Sequence, residues 1–181
     1  MSAVWQLLPA ALREDDDALA AEVRRVYREI HQRDFLHDPA LNDSLPVETR
    51  ALRHIEHWRA LLLLTPWMLA RLLIPGSTPA LLLPAGWCSE SVVLGPILNF
   101  TMMGAPQKGH LNYDPLLGHY LIQPLIMAME SYGSPAEVYA AWNAVLNTRD
   151  ENMRRMQRDC PWQREVSRRE LFTGSTSAAG G

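Results

Sequence analysis

The stretch Trp58-Arg59-Ala60-Leu61-Leu62-Leu63-Leu64-Thr65-Pro66-Trp67-Met68-Leu69-Ala70-Arg71-Leu72-Leu73-Ile74-Pro75-Gly76 decides the fold. Trp58–Leu64 is nearly continuous apolar sequence, the pattern of a strand covered on both faces. Leucine also favours helix, and so short a run has no period that separates the two. A helix over Leu61–Leu73 therefore stays open. Pro66 falls inside that window, where it withdraws a donor and restricts the residue before it. The reading is thus a strand, a turn and another short element, closed by Pro75-Gly76. The stretch holds no nucleophile, no acid–base pair and no phosphate-cradling glycines. It supplies a stiff turn and an apolar surface, which suits holding a polypeptide better than transforming a small molecule.

Working outward, Val47–His54 is mixed and Glu56-His57 reads as a hairpin turn. Pro75–Gly86 is a proline-rich connection. Within Val92–Met103, Leu98, Phe100 and Met102 alternate with Asn99 and Thr101, as in a half-buried strand. Gly104–Gly118 reads as a loop of about 15 residues, and loops of that length are often functional. His119–Met127 is its antiparallel partner strand, with Pro124 marking an edge position or a bulge. Upstream, Asp15, Asp16 and Asp17 offer N-caps to a helix over 17–33, whose buried stripe is Leu19, Val23, Val26 and Ile30 with Tyr27. Downstream, Ser134-Pro135-Ala136-Glu137 forms a capping box with proline at the first helical position. It opens a helix over 135–150 with Val138, Ala141, Trp142, Val145 and Leu146 as its stripe.

These elements predict one α+β domain over residues 15–172. An antiparallel or mixed sheet of about four strands packs against two main helices, which cover one face. Residues 1–14 read as a flexible N-terminus and residues 173–181 as a disordered tail. At 181 residues the chain is long enough for one real core. Apolar residues make up 48% and charged ones 20%, ordinary for a soluble globular protein. A formal net charge of −3 argues against a general nucleic-acid binder. No signal peptide or membrane span is read, so a cytoplasmic location is expected.

Several pieces together resemble the [NiFe]-hydrogenase assembly chaperone family that includes HybE, HupJ and HoxT. They are Leu45-Pro46-Val47 before Trp58, then Thr65-Pro66-Trp67-Met68-Leu69 and Leu73-Ile74-Pro75-Gly76. Leu98-Asn99-Phe100-Thr101, Gly118-His119-Tyr120-Leu121 and Ser167-Arg168-Arg169-Glu170-Leu171-Phe172-Thr173-Gly174 follow. Where relatives place a Ser-Pro pair after the last strand, this chain has Met127-Ala128. The resemblance implies a non-enzymatic maturation chaperone without cofactor or rubredoxin domain. Its implied partner is the immature small subunit of a [NiFe] hydrogenase, the iron–sulfur subunit that carries a twin-arginine leader. Other maturation proteins, a rubredoxin among them, are further partners. Two rival readings are the protein-binding half of a rubredoxin-type redox helper, and a structural accessory subunit.

The expected partner-binding residues are Pro66, Trp67, Met68 and Leu69, with Tyr120 from the middle motif and Arg168 and Arg169 from the last. Trp67, Met68 and Leu69 would line or support an apolar groove. The competing reading makes Trp67 a core aromatic, since tryptophan buries a large area. His54 and His57 point to opposite faces if they lie in a strand, and no second ligand pair has metal spacing. Surface or hydrogen-bonded histidines are the simpler reading, as free thiols are for Cys88 and Cys160. Ser167-Arg168-Arg169 reads like a twin-arginine motif at the wrong end of the chain, a basic tail whose Leu171 and Phe172 dock on the body.

Overall fold

The structure, a computed structural model, describes residues 4–35, 38–39, 41–84 and 94–159. Six strands are β1 (Glu48–Ile55), β2 (Trp58–Thr65), β3 (Met68–Pro75), β4 (Ile97–Met102), β5 (Ala105–Asp114) and β6 (Gly118–Ile126). They form one sheet in the order β1-β2-β3-β6-β5-β4, with every pairing antiparallel. The helices are α1 (Ala10–Glu14), α2 (Asp16–Ile30) and α3 (Pro135–Asp159), and a π-helical turn, His31–Phe35, continues α2. The chain divides into two compact units at Tyr139, inside α3. The whole sheet, α1 and α2 belong to the first.

The leucine run is strand because both of its faces are covered. Leu61 and Leu63 share one face with Met68, Ala70, Leu72, Ile74, Tyr120 and Ile122, under Leu19, Val23, Val26 and Tyr27 of α2. Trp58 and Ala60 lie on the other with Leu73, Phe100, Met102, Leu111 and Leu121, under Trp5 and Leu83. Each large apolar side chain so buried contributes about 1.5–3 kcal/mol. α2 starts as its acidic lead predicts, with Asp15 Oδ1 accepting the Ala18 N–H at 2.9 Å.

Three expectations need correction. The α+β class holds, but the sheet has six strands where about four were expected, because the supposed loop over 104–118 contains β5. Met103 and Gly104, both at positive φ (52 and 72), turn the chain in two residues. Proline, glycine and asparagine disguise the strand, yet each is accommodated. Pro106 faces Thr101 across the ladder, Asn112 accepts the Gly95 N–H, and Gly109 lies where a Cβ would sit 3.1 Å from that of Leu121. Second, Pro124 is not at an edge, since β6 lies between β3 and β5. The expected irregularity is present, as a register shift opposite Leu69 and Ala70. The paired register with β5 ends at Ile122, and Gln123 Nε2 instead donates to the Lys108 carbonyl at 2.7 Å, so Pro124 has no ladder donor to lose.

Third, residues 4–14 are packed rather than loose. Trp5 and Leu8 are buried, and Trp5 Nε1 donates to the Leu81 carbonyl at 2.7 Å. This N-terminal strap passes Gly118 so closely that an added Cβ would lie 2.4 Å from the Gln6 carbonyl oxygen. Trp5 of the strap thus lies on the sheet face opposite α2, while Leu8 joins the core on the α2 side. α3 begins at Pro135 as expected but runs on to Asp159. Of its predicted stripe, Val138 is buried, whereas Val145 is 55% exposed.

The sheet is strongly coiled. Trp58 on β2 and Phe100 on β4 bring their rings within 5.7 Å although three strands separate them. Met103 N–H, in the β4–β5 turn, donates to Glu56 Oε1 in the β1–β2 turn at 2.9 Å.

Candidate functional site

The β2–β3 turn is built by its own four residues. Thr65 Oγ1 accepts the Met68 N–H at 3.1 Å and donates to the Met68 carbonyl at the same distance. Pro66 presets the backbone at the next position. Its carbonyl is satisfied from outside by the Asn42 N–H at 3.2 Å. Trp67 then projects toward the end of α2. Its ring stacks on Phe35 at 4.6 Å, with His31 at 5.8 Å and Tyr27 at 6.5 Å. Phe35 and His31 come from the π-helical turn, a rare geometry often found at functional sites. Among the described residues the Trp67 indole N–H is buried with no hydrogen-bond partner, an arrangement that costs about 1–3 kcal/mol.

Of the other residues singled out from the sequence, Pro66, Met68, Leu69 and Tyr120 do not join Trp67 at a surface. Met68 and Leu69 are fully buried, Pro66 is buried and Tyr120 is 2% exposed. They support the turn from beneath. Tyr120 Oη pairs with Tyr27 Oη at 3.2 Å, and burial pushes both phenols up from their ordinary pKa. Trp67 itself is half-buried, so both of its readings hold in part: it packs on the core and keeps one side outward. Arg168, Arg169, Cys88, Cys160 and the 173–181 tail lie outside the described residues.

Sequence reasoning missed Asn42. Besides bonding Pro66, it donates from Nδ2 to the carbonyls of Met129 (2.8 Å) and Tyr132 (2.6 Å), tying the turn to the chain after β6. Beside it opens a recess of about 450 Å³ lined by Pro39, Leu41, Asn42, Asp43 and Glu130. Asp43 and Glu130 are exposed, and neither carboxylate has an ion pair or hydrogen bond among the described residues. An aromatic shelf and an unneutralised acidic recess therefore meet through Asn42. That combination attracts a cation attached to an apolar chain.

Three of the histidines are engaged structurally. His54 Nε2 meets the Asp16 carboxylate at 2.8 Å, and His110 Nδ1 meets the Gly95 carbonyl at 2.8 Å. His119 Nδ1 accepts the Gln6 N–H at 2.7 Å, and its burial holds the imidazole below its ordinary pKa. Among the described residues no three His, Cys, Asp or Glu gather to hold a metal, and no helix is long and apolar enough to cross a membrane.

Residues 18–174 match the family described as [NiFe]-hydrogenase assembly, chaperone, HybE. Among solved structures, the solution structure of HybE from Escherichia coli is 22% identical; the match covers 65% of this chain and 68% of that chain at a TM-score of 0.46. No curated protein matches.

Proposed function

The chain belongs to the HybE family of [NiFe]-hydrogenase assembly chaperones, and from that premise we propose that it holds the immature small subunit of a hydrogenase by its twin-arginine leader, over the end of the sheet that carries Trp67. The action is passive and non-enzymatic, and its place is the cytoplasm. Arginines of the leader enter the Asp43–Glu130 recess, and its apolar residues lie on the exposed side of Trp67. Holding the leader delays export, while the bound chaperone shields the apolar surface of an unassembled subunit. Release follows when the folded partner subunit offers a better surface. Arg168 and Arg169 are proposed to touch acidic positions of the same client.

The observation that carries this reading is the pair of exposed carboxylates, without a partner among the described residues, beside the turn that holds Trp67. Guanidinium groups bind carboxylates in charge-assisted, often bidentate pairs. Both side chains are exposed, so reversing their charge leaves packing untouched. Co-purification of the small-subunit precursor with the wild-type chain and with an Asp43→Lys, Glu130→Lys double variant tests it. Recovery should fall at least tenfold for the variant while its melting temperature is unchanged. Equal recovery would remove the recess from the client site.

A further inference from the structure

The two edges of the sheet are protected very differently. β1 carries Glu48, Arg50, Arg53 and His54, and its register breaks between Arg50 and Arg53 with Ala51 at φ 54. Arg24 of α2 also reaches across to Thr49 Oγ1 at 2.8 Å. Charges, a bulge and a covering helix are the usual means by which proteins keep an edge from pairing. β4, Ile-Leu-Asn-Phe-Thr-Met, has none of them among the described residues. It carries no charge and no proline, and it pairs with β5 in unbroken register.

The phase of the hairpin fixes which backbone groups of β4 are open. A two-residue turn closes on a hydrogen-bonded pair, here Met102 with Ala105, and such pairs then alternate along the ladder. Leu98, Phe100 and Met102 therefore direct their N–H and C=O groups at β5. The Leu111 N–H to Pro96 carbonyl bond, 2.8 Å, continues the same phase. Ile97, Asn99 and Thr101 direct theirs outward, and among the described residues no strand pairs with them.

We propose that this edge pairs with the β4 edge of a second copy of the chain. The three outward residues are symmetric about Asn99, which is what a two-fold antiparallel contact requires. Ile97 then meets Thr101 of the second copy, Asn99 meets Asn99, and Thr101 meets Ile97. Every open donor and acceptor finds a partner. Neither strand brings a charge against its like, a neutrality that the charged β1 edge does not share. On the inward face Leu98 falls opposite Phe100 of the second copy. There a recess of about 340 Å³ lined by His57, Trp58, Ala80, Leu81, Phe100 and Thr101 takes the incoming leucine. The pairing also covers Ile97, which is 56% exposed in the single chain.

Sedimentation of the full chain from low to high micromolar concentration, with amide hydrogen exchange at both ends of the range, tests the pairing. The expected mass at high concentration is two chains. Amides of Ile97, Asn99 and Thr101 should become slow only there, whereas those of Leu98, Phe100 and Met102 stay slow throughout. Asn99→Pro removes an outward donor and no ladder bond, and Ile97→Lys places on β4 the charge that other edges carry. Both should give single chains with an unchanged circular dichroism spectrum. A single-chain mass at every concentration, or a dimer that survives both substitutions with the fold intact, would overturn the proposal. So would protection of those three amides only on adding a hydrogenase precursor, which would give the edge to a foreign strand.

Discussion

Trp67 shows how one side chain serves both stability and recognition. Its position in a Thr-Pro-Trp-Met turn was legible in the sequence, because Pro66 and Thr65 announce a tight turn through their own backbone chemistry. Its neighbours were not, since Asn42 and the carbonyl of Met129 are 87 positions apart and no local pattern links them. Asp43 and Glu130 were equally hidden, each an ordinary polar residue until the fold sets both beside one recess. His119 carries a pH dependence whose sign is fixed by its environment. Burial lowers its folded pKa, so between that value and about 6.5 the unfolded chain binds more protons. Stability from this residue is full above about pH 6.5 and is lost as the pH falls through the folded value. Urea unfolding at pH 5 and pH 7.5 should show a smaller acid loss for His119→Gln than for the wild type.

At the level of elements, the capped start of each main helix was read directly and β2 was read as a strand. A helix over Leu61–Leu73 stayed open, however, and β3 was legible only as a short element, because a continuous leucine run has no period to decide it. β5 was not read as a strand, because Pro106, Gly109 and Asn112 signal a loop. The cost of each is absorbed by tertiary contacts invisible to a local reading. The strap was missed for a related reason. Val4–Pro9 has no period, and its order comes from Trp5, from Gln6 on His119 and from the close approach to Gly118. Gly118, at φ 70, is required twice, by its backbone and by its neighbour. Gly118→Ala should cost roughly 1–3 kcal/mol from strain alone and loosen the strap. A lowered melting temperature with a red-shifted tryptophan emission would show it. Unchanged stability would mean that the strap is not held against the β5–β6 turn.

Across the first unit, a coiled sheet keeps its two faces distinct: α2 and Trp67 on one, Trp5 and Trp58 on the other. This separation turns the proposed client site into a question of which indole feels the client. The most direct measurement follows the indole N–H resonances of Trp5, Trp58 and Trp67 while a twin-arginine leader peptide from a hydrogenase small subunit is added. Trp67, whose N–H has no partner among the described residues, should shift until saturation while Trp5 and Trp58 stay in place. A saturable shift of Trp5 and Trp58 with Trp67 unmoved, or no shift at any of the three, would contradict capture at the Trp67 end.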